Sequence, residues 1–117
     1  MTTFAYFAGH EQWHPEQLVR HAVLAEEAGF DGILVSEHLF VPAEFKAAYP
    51  YNDTGVPDFN TETPFPDPWV AITAMAAVTE RIRFATFVYK LAIRQVACVA
   101  KQVQSIQQLS NNRFDFG

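Results

Sequence analysis

Cysteine is nearly missing from this sequence: Cys98 is the single one in 117 residues, so no internal disulfide can form. That fits a reducing compartment. Basic residues are also scarce, with 8 Lys and Arg against 13 Asp and Glu and a net charge of −5. No basic patch stands out, which argues against a nucleic-acid partner. Long apolar runs are missing too. The longest, residues 70–78, is far short of the ~20 residues a membrane span needs. The amino terminus, Met-Thr-Thr-Phe-Ala, has neither a basic segment nor a long apolar one, so no signal peptide and no membrane partner are expected. Internal repeats and low-complexity segments are absent. What remains is half hydrophobic and 15% aromatic, with 11 phenylalanines. That composition builds a packed core, and the expectation is a soluble, cytoplasmic protein.

The chain alternates two periodicities. Residues 3–8, TFAYFA, read as a short strand. Pro15 then opens PEQLVRHAVLAEEA, with Pro at the first helical position, Glu16 at the positive helix end, and Leu18, Ala22 and Ala25 on one face. Gly29 stops that helix. GILVS, residues 32–36, is a continuous apolar run, which predicts a strand buried on both faces. Asp67 and Pro68 are an N-cap and first helical residue for DPWVAITAMAAV. RIRFATFVY, residues 81–89, predicts a third strand. Residues 95–109 predict a third helix with Val96, Val99, Ala100, Val103 and Ile106 on one face. Ser110, Asn111 and Asn112 break it, and RFDFG begins a fourth strand. The order β-α-β-(long loop)-α-β-α-β implies an α/β protein with parallel strands and right-handed crossovers. An open doubly wound sheet and part of a (β/α)8 barrel both suit it. A whole barrel takes about 250 residues, so this chain supplies at most about half.

Between Val41 and Pro68 lie six of the seven prolines, and residues 37–67 have no clear periodicity. A connection this long is usually functional, such as a lid or binding loop. With Phe45, Tyr49, Tyr51 and Phe59 it is a candidate substrate cover; the plainer alternative is a flexible insertion. A short helix at residues 43–48 is one further expectation.

The stretch GHEQWHP, residues 9–15, contains H-E-x-x-H, a zinc-hydrolase pattern through His10, Glu11 and His14. That pattern works only on a helix, where residues i and i+4 share a face. Pro15 pushes His14 out of the helical region, and His21 and His38 sit in no zincin pattern, so no metal is expected. The same stretch follows strand 1, at the carboxyl end of a parallel sheet where sites are built. His10 and Glu11 are therefore candidate site-lining residues, or loop residues that simply face water. At the end of strand 2, Ser36, Glu37 and His38 bring together a carboxylate and an imidazole, groups suited to acid/base work, or an exposed polar pair at a loop entry.

Three segments, LAEEAGFDGILVSEHLFVP, DPWVAITAMAAVTERIRFAT and VAKQVQSIQQLSNNRFDFG, in this order, resemble the luciferase-like monooxygenase superfamily. This group includes bacterial luciferase, flavin-dependent alkane-type monooxygenases and deazaflavin-dependent dehydrogenases. The opening GHEQWHPEQLVRHAVLAEEAGFDG is most similar to the deazaflavin branch. The resemblance runs along nearly the whole chain and implies the amino-terminal half of a (β/α)8 TIM barrel, one partial domain over residues 1–117 truncated at strand 4. It implies a flavin- or deazaflavin-dependent oxidoreductase or monooxygenase acting on a small organic substrate, with FMN or coenzyme F-420 as cofactor, the deazaflavin slightly preferred. It implies His38 as the catalytic residue, beside the ring and the substrate. Glu37, Thr86, Phe87 and Val88 become cofactor-binding, with a non-prolyl cis bond between Phe87 and Val88. Glu37 stands where an aspartate is common, Phe87 where a small or polar residue is usual, Ala85 where Gly is usual, and Asp115-Phe116 where an apolar residue and Leu are preferred. His10, Glu11, Phe40 and Tyr51 are the expected substrate-lining residues.

A second function class stays open. A half-barrel exposes sheet edges at strands 1 and 4, and open edges invite pairing with another chain. A non-catalytic fragment or assembly module, self-associating through those edges as a homo-oligomer, is the alternative to the enzyme.

Overall fold

The computed structural model describes residues 2–9 and 14–117. Four parallel strands, β1 (Ala5–Ala8), β2 (Gly32–Val35), β3 (Arg83–Thr86) and β4 (Phe114–Asp115), lie side by side in chain order. Helices α1 (Pro15–Glu27), α2 (Pro68–Ala76) and α3 (Val96–Leu109) make the crossovers. A 3-10 turn, Leu91–Ile93, which the sequence pattern did not announce, precedes α3. Sequential order with right-handed crossovers puts all three helices on one side of the sheet, where α1 packs on α2 and α2 on α3. This is the arrangement of consecutive β/α units of a barrel, and no doubly wound sheet.

Local chemistry accounts for the element ends. Asp67 accepts N–H bonds from Trp69 and Val70, and Pro68 occupies the first helical position of α2. Gly29 follows α1 with φ +86°, a conformation that only glycine adopts without strain. Asn111 and Asn112 take left-handed angles, 55° and 61°, which asparagine tolerates better than most residues, and α3 ends there. The expected helix at residues 43–48 does not form; that segment bends through the proline-rich loop.

The register sorts side chains by parity. Tyr6, Ile33, Phe84 and Phe114 align on the helix side, followed by Ala8, Val35 and Thr86. Of these all but Tyr6 are buried, beneath Leu18, Ala22, Ile72, Met75 and Ile106 of the helices. The alternate residues, Phe7, Leu34, Ala85 and Asp115, line up on the other side, which no helix among the described residues covers. β2 is therefore buried on one face only, a correction to the two-sided burial its apolar run implied. An all-apolar strand resulted because Leu34 and Gly32 belong to the inner, barrel-lumen side. On α3, Val99 and Ile106 are buried, while Val96 and Ala100 of the expected face lie exposed. No helix among the described residues is long and apolar enough to cross a membrane.

Candidate functional site at the carboxyl ends of the strands

The carboxyl ends of β2 and β3 lie next to each other, since Val35 pairs with Thr86 and the Phe87 N–H donates to the Val35 carbonyl at 2.8 Å. Continuing the alternation past Val35 sends Glu37 to the helix side and Ser36 and His38 to the inner side. Burial agrees: Glu37 is 2% exposed, whereas Ser36 and His38 are half-buried. The acid/base pair suggested by their adjacency thus divides, each side chain with its own partners.

His38 is packed between two phenylalanines of the long loop. Its ring centroid lies 4.8 Å from that of Phe59 and 4.8 Å from that of Phe65. Phe59 also meets Phe45, Tyr49 and Phe65 at 5.5–6.1 Å. Such aromatic contacts hold a loop that has no helix or strand of its own. A cavity of about 350 Å³ opens within the loop between Pro42, Phe45, Val56 and Phe59. The loop thus packs its aromatic side chains against His38. Phe40 and Tyr51 are largely exposed, Tyr51 against Tyr49 at 5.3 Å.

Glu37 faces cations. Arg94 Nη2 donates to its Oε1, the Lys90 backbone N–H donates to Oε2 at 3.1 Å, and Lys90 Nζ lies 3.9 Å from Oε2 and donates to the Glu37 carbonyl. A buried carboxylate needs such donors in place of the water it has lost. Arg94 also lies over the Tyr89 ring, 5.1 Å from its centroid, and the Tyr89 hydroxyl accepts from Trp69 Nε1 at 2.9 Å. Sequence reasoning missed Lys90, Arg94, Tyr89 and Trp69 as site support. One signal was available: a Glu on the buried parity just past a strand needs a cation, and Lys90 and Arg94 are the first two that follow β3.

Thr86 is buried on the helix side, where its Oγ1 donates to the Gly117 carbonyl at 3.0 Å and accepts from the Gly117 N–H at 3.1 Å. A Cβ at Gly117 would come within 2.1 Å of the Thr86 carbonyl oxygen, so only glycine permits this approach. Phe87 and Val88, in contrast, are 56% and 58% exposed, and Phe87 meets Phe7 of β1 edge to face at 6.0 Å. The peptide bond between Phe87 and Val88 is cis, at the position the family resemblance indicates.

His10 and Glu11 lie outside the described residues. His14 is the extended N-cap of α1, with ψ 141°, and the helix starts at Pro15. The H-E-x-x-H stretch therefore does not end on a helix. Among the described residues no group of three or more His, Cys, Asp or Glu could hold a metal.

Consecutive β/α units with helices on one side, a bare inner face and side chains gathered at the carboxyl ends define a portion of a (β/α)8 barrel. The sequence profile of the luciferase-like monooxygenase family matches residues 2–117, and the chain belongs to that family. An uncharacterised protein of Mycobacterium tuberculosis is 40% identical over 96 residues, covering 82% of this chain and 33% of its own length. The F420-dependent glucose-6-phosphate dehydrogenase of Beutenbergia cavernae is 33% identical, covering 100% of this chain and 30% of its own length. Among solved structures, the oxygenating constituent of 3,6-diketocamphane monooxygenase from Pseudomonas putida, in complex with FMN, superposes with a TM-score of 0.73. It is 20% identical and covers 100% of this chain and 29% of its own. A monooxygenase from Streptomyces bottropensis gives 0.74 at 23% identity, covering 99% and 32%. The chain spans about a third of the length of the curated relatives it matches.

Proposed function

We propose that this chain carries part of the active site of a flavin- or deazaflavin-dependent oxidoreductase that acts on a small organic substrate. The carrying observation is that His38 and the exposed Phe87–Val88 pair stand at the carboxyl ends of two adjacent parallel strands. An exposed apolar pair beside Phe7 suits the flat face of a fused ring, so the residues present fit such a cofactor. FMN or coenzyme F-420, when bound, supplies the hydride transfer or oxygen activation. The kinship with an F420-dependent dehydrogenase supports the deazaflavin, and the likeness to an FMN complex supports the flavin.

In this reading Phe87 and Val88 bear on the ring, and Thr86 sets their position from the helix side through Gly117. His38 holds or releases a proton on the substrate side; a histidine can do so near neutral pH. Phe59 and Phe65 keep water from its ring, and Phe40 and Tyr51 line the substrate's approach. The loop over residues 41–67 covers the substrate.

Oxidised FMN and coenzyme F-420 are titrated separately into the folded chain, with cofactor fluorescence as the signal. Saturable binding of one of them, weakened in Phe87→Asp, is expected. A folded chain that binds neither overturns the reading. The bare inner face and the open edges of β1 and β4 favour a second reading, an assembly module whose partner is another copy of the chain. Saturable self-association without cofactor binding selects it.

A further inference from the structure

The ion pair between Glu37 and Arg94 joins the two segments that form the mouth. Glu37 precedes His38 directly. Lys90 and Arg94 follow Phe87 and Val88 within a few residues. Through them the segment after β3 grips both the carboxylate and the backbone carbonyl of Glu37. Arg94 is itself seated. It lies over Tyr89, whose N–H donates to the Gly117 carbonyl at 2.8 Å and whose hydroxyl is held by Trp69 of α2. With Glu37 2% exposed and its oxygens turned to these donors, its carboxylate has no open face toward a ligand at the mouth.

We propose that Arg94 is a positioning residue: through the buried Glu37 carboxylate it fixes His38 and the Phe87–Val88 surface relative to each other, and neither charged group touches cofactor or substrate. The proposal rests on the reading of this mouth as a flavin or deazaflavin site. It departs from the cofactor contact implied for Glu37 by family resemblance and gives that residue an indirect role. The planar fork of arginine suits the task, because its N–H edge bonds Glu37 while its Cζ lies over Tyr89; a lysine ammonium, a compact and strongly hydrated charge, meets both partners less well.

The test compares the chain with Arg94→Lys, Arg94→Met, Glu37→Gln and the double variant Glu37→Gln/Arg94→Met. Arg113→Met serves as control, because Arg113 binds the Ala76, Thr79 and Ile82 carbonyls away from the mouth. Two readouts are taken: the His38 ring signals in the NMR spectrum without cofactor, including their contacts to Phe59 and Phe65, and the affinity for FMN and for coenzyme F-420. Arg94→Met is expected to shift the His38 signals and weaken binding about tenfold or more, since small misplacements at a site are costly. Arg94→Lys restores only part of both. The double variant is no weaker than the worse single one within about twofold, the signature of groups acting as a unit. Arg113→Met lowers Tm but leaves His38 and affinity unchanged.

Folded Arg94→Met with unchanged His38 signals and unchanged affinity overturns the proposal. Should Arg94→Met not fold, Arg94→Lys decides: unchanged signals and affinity overturn it, and altered ones support it. Wild-type chain that binds neither cofactor overturns the functional reading instead. The His38 spectra then judge Arg94 alone, with shifted signals supporting the coupling and unshifted ones overturning it.

Discussion

Arg83 and Asp115 meet diagonally across the bare inner face of the sheet, Nε donating to Oδ2 at 2.9 Å and Nη2 to Oδ1 at 2.7 Å. The pair gives Asp115 a cationic partner on that face. Both side chains are about half exposed, so solvent screening leaves the bond little energy. Asp115→Ala is expected to lower the unfolding free energy by about 0.5 kcal/mol. Urea denaturation at low and high salt checks this, and the difference should shrink as salt rises.

Glu26, near the end of α1, performs a task far from its own helix. Its carboxylate accepts the backbone N–H groups of Glu80, Arg81 and Ile82 at 2.6–3.1 Å. Burial pushes its carboxyl upward, but the three N–H bonds and the Arg81 charge outweigh that and hold it below the ordinary value. A carboxyl pKa lowered in the folded state stabilises the fold above the unfolded value, and that stability is lost as pH falls through the lower folded one. Glu26→Ala is expected to cost about 1–2 kcal/mol at pH 7. Its deficit against wild type should narrow as pH drops below the unfolded value of 4.5. Chemical denaturation across that range measures it; a deficit that grows on acidification contradicts the assignment.

Tyr89→Phe removes the acceptor of the buried Trp69 Nε1–H. A buried donor left unpaired costs about 1–3 kcal/mol. The variant should melt earlier while keeping the wild-type circular dichroism at room temperature. An unchanged Tm would show that the bond contributes nothing net.

Phe59→Ala opens the loop above His38 without touching the sheet. Carbethoxylation of His38 by diethyl pyrocarbonate should speed up, as should proteolysis within residues 41–67, at nearly unchanged global stability. Equal rates in variant and wild type would mean that the loop shields His38 by other contacts.

On the assembly-module reading, the described residues, with β1 and β4 at the two sides of the sheet, should self-associate. Sedimentation velocity should show concentration-dependent species, reduced in Phe7→Lys, which puts a charge on the inner face. A wild-type monomer at every concentration removes the prediction.

What was legible in the sequence was local. The N-cap at Asp67, Pro15 and Pro68 at first helical positions, Gly29 as stop and the alternating order of elements each depend on neighbours a few residues away. They sufficed for the parallel β/α class and, with the family resemblance, for the barrel. Parity along β2 was legible too. Followed two residues past Val35, it separates Glu37 from His38, although adjacency in the chain suggested that they worked together. The tertiary structure alone decided the partners. Glu37 finds Arg94 57 residues away, Glu26 finds Ile82 56 away, and Trp69 finds Tyr89 20 away. Those distances close only after the right-handed crossovers bring the strand ends side by side. Order along the chain names Lys90 and Arg94 as candidates, but only the folded chain decides which of their groups reaches the buried carboxylate. Packing of the long loop decided the surroundings of His38, because only in the folded chain do Phe59 and Phe65 lie against its ring.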